Sequence, residues 1–381
     1  MPTPSTHEGR VHRSALRCAR ALLMPSTMLL VGVAACSDAP HTEDRALPSV
    51  QLQAGSRVLP SLRFEVATTH PVYESVMQTT PLLVGPGGEL VFTGAPGEHG
   101  VVVRRASGTS VSFGPVGDGP REIRSPLGYG VTDSLVFIFD KSNQRLSQWT
   151  IDGSFVNERR VVNTRALFFA PLDGQRWLMP GRLGDQLSVG VLDGETGGFT
   201  AFDLTEDVFV QAHWPSVRES FTNPPSMGAW YGGFVLGDSR THSLGFFDWS
   251  GTRVAVYEQG LGLNRYSDAA IERMVADFKL VGRTLSPVAK QRLRDQAAPW
   301  FSIRIRKDGL ERTWLIGEHD GSAFADVFVG PDYLGRLLIP CNSVGPNWDL
   351  QGEWLAVVCK PDDPSSMDDA IVKLFRIISD G

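Results

Sequence analysis

The chain has 381 residues, 42% of them hydrophobic, and a formal net charge of −6, enough to bury a full core as one large domain or two ordinary ones. The first 35 residues take with them four Arg and one Glu, leaving 32 basic against 41 acidic residues and a net charge of −9. An acidic surface repels phosphate backbones, which excludes nucleic acid as the expected partner.

In chain order, Arg10, Arg13, Arg17 and Arg20 precede an apolar run from Ala21 to Ala35 that closes on Val33-Ala34-Ala35-Cys36. A basic start, a short apolar stretch and small residues before a cut make a secretory signal. Pro25 interrupts the run, which is too short to span a bilayer. Its last four residues resemble the bacterial lipobox, which implies that Cys36 is acylated and heads the mature chain; the alternative is an ordinary cysteine beside a plain cleavage site. Several acyl chains would anchor the protein stably to a membrane. Ser37, where Asp in some bacteria favours inner-membrane retention, points to the outer membrane of the cell envelope. The basic region is long for a signal, so the expected start of translation lies downstream of Met1.

Residues 36–55 are polar, charged and Pro-bearing, and are expected to form a flexible tether. Once Cys18 leaves with the signal, Cys36, Cys341 and Cys359 remain. The last two close apolar runs that could be neighbouring strands, and either pair as a disulfide in an oxidising compartment or stay as two buried thiols.

Forty Gly and 25 Pro beside nine Trp and 20 Phe favour short strands and tight turns over a helical bundle. Alternating or apolar runs at 57–69, 82–84, 89–94, 100–105 and 109–113 read as strands, with Gly-rich turns between them. Ser112–Val156 follows as one antiparallel unit, and parts of it recur. A shift of 41 places Leu146 on Leu187 and Asp152-Gly153 on Asp193-Gly194; a shift of 98 places Asp140 on Asp238, Leu146 on Leu244, Trp149 on Phe247 and Gly153 on Gly251. Four-stranded repeats at roughly 40–50 residues belong to propeller blades; the competing architecture is a β-sandwich with similar hairpins.

Between 264 and 298 the rhythm breaks. Ser267 can cap a helix with Ile271, Met274, Val275 and Phe278 on one stripe, and Ser286-Pro287 opens a second. This helical insertion is read as a packing element over one face, the sharper alternative being a lid. Strand patterns resume at 300–306, 313–317, 324–329, 335–340, 349–359 and 370–378. The final unit is one strand short, and the strand starting at Arg57 can complete it, joining the chain's two ends and removing an exposed edge. Without the insertion, residues 56–381 hold six units at ~48 residues each or seven at ~41. The hairpin sets count as six, so the expected fold is an all-β, six-bladed propeller of four-stranded antiparallel blades.

Ser112–Val156 resembles the NHL-like units of bacterial six-bladed propeller lipoproteins. The likeness rests on the loop Gly117-Asp118-Gly119-Pro120-Arg121-Glu122-Ile123, the strand pair Gly130–Asp140 and the strand and turn Arg145–Gly153; the loop departs from the family pattern at Arg121 and Ile123. The resemblance implies a secreted, lipid-anchored propeller and says little about activity.

Local chemistry is sparse. The Gly117–Ile123 loop lacks the Lys and the following helix of a phosphate loop, so its glycines are read as turn chemistry. Arg121 and Glu122 either line a propeller face or pair with each other. His70, His99, His213, His242 and His319 are scattered with no metal-ligand spacing. Asp140 and Asp238 suit Asx-turn caps, and Asp362-Asp363 and Asp368-Asp369 read as solvated charge. Trp149, Trp177, Trp249, Trp314 and Trp354 are expected in the core. Trp214, Trp230 and Trp348, beside turn formers, are the candidates for stacking on a ligand. The expectation is a monomeric binding or scaffold module for a protein, peptide or glycan, without catalytic residues or a cofactor. The alternatives are a calcium-dependent envelope hydrolase resembling lactonase propellers, and a purely structural envelope protein.

Overall fold

A computed structural model of the chain describes residues 49–50, 62–72, 82–92, 99–161 (except 125, 133 and 141), 170–214 (except 173–174 and 184–185), 225–258, 268, 271–272, 275, 284–295, 301–359 (except 320–321) and 370–379. The chain divides into Met1–Arg45 and Ala46–Gly381. The signal, Cys36 and most of the tether lie outside the described residues, as do Met274, Phe278 and the Asp362–Asp369 loop.

Strands dominate. A short β1 (Ser49–Val50) and a long β2 (Leu62–Val72) come first. Three four-stranded antiparallel sheets follow. The first is β3 (Leu83–Val84), β4 (Leu90–Phe92), β5 (His99–Arg104) and β6 (Ser110–Pro115). The second is β7 (Pro126–Val131), β8 (Leu135–Asp140), β9 (Arg145–Thr150) and β10 (Phe155–Arg160). The third is β11 (Ala170–Pro171), β12 (Arg176–Leu183), β13 (Gln186–Asp193) and β14 (Phe199–Phe202).

The remaining strands share one twelve-stranded sheet, which divides by register. Antiparallel β15 (Ser226–Trp230), β16 (Gly233–Asp238), β17 (Ser243–Asp248) and β18 (Arg253–Glu258) form a fourth set, with β1 added parallel to β18. A parallel bridge from Met227 to Arg304 leads to β19 (Phe301–Lys307), β20 (Arg312–His319), β21 (Ser322–Val329) and β22 (Asp332–Gln351). The twenty-residue β22 serves twice: it pairs with β21 as far as Asn342, and from Ser343 with β23 (Trp354–Cys359). Then β24 (Ala370–Ser379) pairs with β23 and with β2, matching Leu62 to Ser379 and Val72 to Ala370. The chain's first long strand thus completes its last set.

The core explains why central strands read as unbroken apolar runs instead of alternating ones. Successive residues of a strand point to opposite faces, and here both faces are covered. In β8, Val136 and Ile138 pack with Leu83, Val91 and Phe113 of the first sheet, while Phe137 and Phe139 pack with Trp177 and Met179 of the third. In β16, Phe234 and Leu236 join Leu178 and Val189 of the third sheet, while Val235 joins Ile305 and Phe328 of the next set. In β23, Leu355 and Val357 face Trp314 and Val327, while Ala356 and Val358 meet Leu82, Val84 and Leu90 of the first sheet. Every set packs on its two sequence neighbours and the last packs on the first. The arrangement is an all-β, propeller-like fold. Each fully buried large apolar side chain stabilises it by roughly 1.5–3 kcal/mol.

The repeat seen in the sequence has a structural counterpart. Asp140 and Asp238 each end the second strand of a set, and Gly153 and Gly251 occupy the same turn with φ of 84° and 85°, where a Cβ would strain the backbone. The shift of 41 holds for Leu187 on β13 but slips in the turn: the positive-φ residue is Gly197 (φ 73°), not Gly194, because Asp193-Gly194-Glu195-Thr196 inserts extra residues. In the insertion, residues 268, 271, 272 and 275 are helical, and Ile271 and Val275 are buried. Two short helices stand outside the sheets, α1 (Val208–His213) and α2 (Pro287–Asp295); α2 buries none of its residues.

Candidate functional site

Strand direction sorts the loops onto two ends of the sheets. Tight turns at 231–232, 249–252, 308–311, 330–331 and 352–353 share one end. The opposite, connector end holds the 239–242 turn, the 117–124 loop, the C-terminal end of α1 at His213 and the crossings between sets. Long connections are where a rigid sheet body places binding residues, so the connector end is the candidate functional surface.

The Gly117–Ile123 loop is a folded connector from β6 to β7. Glu122 accepts a hydrogen bond from the Gly119 N–H at 2.6 Å, and a Cβ at Gly117 would stand 2.1 Å from its carboxylate. Arg145 donates to the carbonyls of Gly119 (2.7 Å) and Glu122, and Asn143 to that of Gly117. Arg121, with φ of 64°, holds its guanidinium 4.7 Å from the Phe155 ring centroid while its N–H donates to Glu158. Glu122 therefore caps its own loop, and Arg121 is the exposed residue of the two. Asp140 anchors the same region, accepting from the N–H groups of Arg124, Ser142 and Asn143.

Next along this end, α1 is docked by a charged triplet. Asp207 caps its start by accepting from the Val210 N–H, and Phe209 and Val210 are buried. His213 Nδ1 lies 2.8 Å from Asp238 Oδ2; Arg240 donates to both oxygens of that carboxylate through Nε and Nη2, and to the His213 carbonyl. Burial alone would raise the Asp238 carboxyl, but the hydrogen bonds from His213 and Arg240 outweigh it and hold the group well below the usual carboxylate range. The His213 side chain keeps 14% of its surface in solvent. Its Nε2 takes no part in this set of bonds, so a buried carboxylate orients an imidazole at the surface.

A second cluster is sealed between the fourth and fifth sets. His242 Nε2 is 2.9 Å from Asp326 Oδ2, the Tyr333 hydroxyl donates to Oδ1 at 3.0 Å, and Arg336 donates to both oxygens. Burial pushes Asp326 up, and the bonds from Arg336 and His242 bring it below its ordinary value. Burial and the Asp326 charge push the Tyr257 and Tyr333 hydroxyls up. All of these side chains are buried or half-buried, so the cluster ties two sets together.

The first strands of successive sets meet in turn, and side chains make the last junction. Asn347 Oδ1 accepts from the Leu82 N–H and Asp349 Oδ2 from the Val84 N–H, both at 3.0 Å. Arg306 donates to Asp349 Oδ1, and Arg304 donates to the carbonyls of Leu82 and Trp348. Burial lowers the Arg304 pKa to about 10, still charged at neutral pH.

Several expectations about aromatics need correction. Trp214 (3% exposed) and Trp348 (1%) are core residues: Trp214 packs in the cluster that holds α1 and Trp348 between the fifth set and the closing one. Neither can stack on a ligand. Trp230 is half-buried, its Nε1 donating to the carbonyls of Phe234 and Phe247 at the tight-turn end. Trp149, Trp177 and Trp314 are buried, whereas Trp249, expected in the core, is 45% exposed. Tyr231 was missed and is 79% exposed. Its position in Trp230-Tyr231-Gly232, a two-residue turn between apolar strands, was the available signal.

Cys341 and Cys359 form a disulfide, both residues buried. Among the described residues no three His, Cys, Asp or Glu side chains converge as a metal site, and no helix is long and apolar enough to cross a membrane.

The chain is similar in structure to a member of the DUF4221 family from Bacteroides vulgatus, at 11% identity over 84% of this chain and 99% of that one, with a TM-score of 0.48. A candidate exported protein of Bacteroides fragilis matches at 10% identity over 86% and 97%, with a TM-score of 0.46. Regucalcin, a calcium-binding protein of Agrobacterium tumefaciens, matches at 11% over 82% and 95%, with a TM-score of 0.40. No protein-family model matches the chain. No curated protein matches it either.

Proposed function

We propose that the chain is a lipid-anchored, six-bladed β-propeller of the bacterial cell envelope, a monomeric binding module that presents its connector end to a protein, peptide or glycan. One observation carries the reading: each four-stranded set shares a core with the next, and the last shares one with the first. A closed ring holds its inner strands rigidly and leaves connectors free to vary. Arg121 of the loop is exposed there. The basic start, apolar run and Cys36 support export and acylation at the outer membrane, and a buried disulfide suits an oxidising compartment.

The test is thermal melting of the purified chain against defined peptides and cell-wall oligosaccharides. A saturable shift that Arg121→Glu abolishes and Tyr231→Ser leaves intact is the expected result. A shift insensitive to Arg121→Glu, or none with any probe, would overturn the binding role. Metal analysis separates the hydrolase alternative: about one calcium per chain, with esterase or lactonase activity lost to a chelator, would replace the binding module with a metal-dependent enzyme.

A further inference from the structure

Arg121 holds a backbone conformation, φ of 64°, that glycine adopts freely and an L-residue only with strain. Residues held this way cluster at ligand-binding and switch sites. Here the strained position presents an exposed guanidinium, laid 4.7 Å from the Phe155 ring centroid. Its backbone N–H donates to Glu158 at 3.3 Å, which ties the loop to β10.

β10 is the outermost strand of its sheet. Glu158 and Arg160 lie two residues apart on it and share a face. Arg160 pairs in register with Arg145, whose Nη1 stands 3.4 Å from the same Glu158 oxygen that accepts from Arg121. Arg159 projects from the opposite face. The guanidinium groups of Arg121, Arg159 and Arg160 are exposed and meet no carboxylate among the described residues. Other solvent-facing arginines do: Arg105 pairs with Asp152, Arg124 with Asp118, Arg294 with Asp268 and Arg376 with Glu353. In a chain of net negative charge, uncompensated positive charge is thus gathered where the 117–124 loop meets β10.

We infer that the 117–124 loop and β10 form the docking surface for an acidic peptide segment of a partner protein. Its carboxylates pair with Arg121 and Arg160, whose planar forks match that group bidentately. The same strand offers apolar surface, Phe155 half-buried beneath Arg121 and Val156 46% exposed. A peptide with an apolar side chain among its acids covers both kinds of surface, whereas a uniform polyanion leaves the apolar part in water. Docking of such a segment is one form of the connector-end binding already proposed and depends on it.

The test is fluorescence anisotropy with the purified full chain and a fluorescein-labelled peptide of Glu and Asp around a central Leu. Companion peptides replace the acids with Gln and Asn, or the Leu with Ser. Saturable binding of the acidic peptide is expected, weakened about tenfold or more by Arg121→Gly and by Arg160→Ser. Arg376→Ser, at the tight-turn end, should leave it unchanged. Arg121→Gly also relieves the backbone strain, so it removes the guanidinium without endangering the fold. Both companion peptides should bind more weakly, and added salt should weaken the acidic one. Equal binding of the acidic and amide peptides would overturn the acidic partner and leave connector-end binding standing. So would polyphosphate or polygalacturonate that binds with the arginine dependence where the acidic peptide does not. Acidic-peptide binding that both arginine variants retain overturns this surface. If, in addition, no probe gives a melting shift sensitive to Arg121→Glu, the connector-end reading falls with it.

Discussion

The backbone N–H of Val84 donates to the carboxylate of Asp349 across 265 residues of sequence. Two residues earlier on each strand, the Leu82 N–H donates to Asn347. Alternate residues of a strand share a face, so the spacing 82/84 matches the spacing 347/349. Two side-chain acceptors thereby bind the first strand of the first set to that of the last. The opposite oxygen of Asp349 accepts from Arg306, so one carboxylate joins three sets.

Asp349→Ala should cost about 3–5 kcal/mol, because it strands a buried Arg306 and an inner-strand N–H. Chemical denaturation of both proteins measures it. A loss below 1 kcal/mol would show that the junction is held by apolar packing alone.

Acid should weaken the fold through Asp238 and Asp326. Both carboxyls sit below their ordinary value when folded, so the unfolded chain takes up protons first as pH falls. Their stabilisation is complete above the unfolded value of about 3.9 and is lost as pH drops towards the folded values. Melting temperature followed from pH 7 to pH 2 should fall less steeply below about pH 4 in Asp238→Asn than in the wild type. Parallel curves would remove Asp238 as a source of acid sensitivity.

The Cys341–Cys359 bridge closes a loop of sequence separation 18. Replacing both residues with Ser should cost about 3 kcal/mol, read as a lower denaturation midpoint. Since both residues are buried, the native protein treated with reductant and a maleimide should label slowly and the denatured protein at once. Rapid native labelling would contradict the buried placement.

Gly251→Ala should destabilise by roughly 1–2 kcal/mol, the cost of holding an L-residue at φ of 85°. The nearest atom to the added Cβ, Phe202 Cβ, is 3.4 Å away, so backbone strain and not a clash sets the effect. Equal stability of the two proteins would mean that the turn readily rearranges.

Much of this fold was legible because the repeat leaves local marks. An Asp that caps its own turn and a Gly with positive φ are required by backbone geometry alone, and Asp140, Asp238, Gly153 and Gly251 gave the register. Burial of Trp214 and Trp348 was not legible: each follows or precedes turn formers, and its cover comes from strands distant in sequence. β22 was also read short, because Gly345-Pro346 in its second half signals a break. It changes partner near that point and keeps its extended backbone. Nor does a sequence show that Asn347 and Asp349 face backbone N–H groups; that depends on circular closure.

Circular closure is tested most directly between the tight turns of the first and last sets. Gly88 lies against the Trp354 ring, where an added Cβ would be 3.2 Å away. Nitroxide labels on Gly87→Cys and Glu353→Cys, both exposed, should therefore show strong dipolar broadening in the native protein that disappears on unfolding. Native spectra equal to the sum of the two singly labelled proteins would mean that the ends of the chain do not meet, and that the strands form an open array or a sandwich instead of a ring.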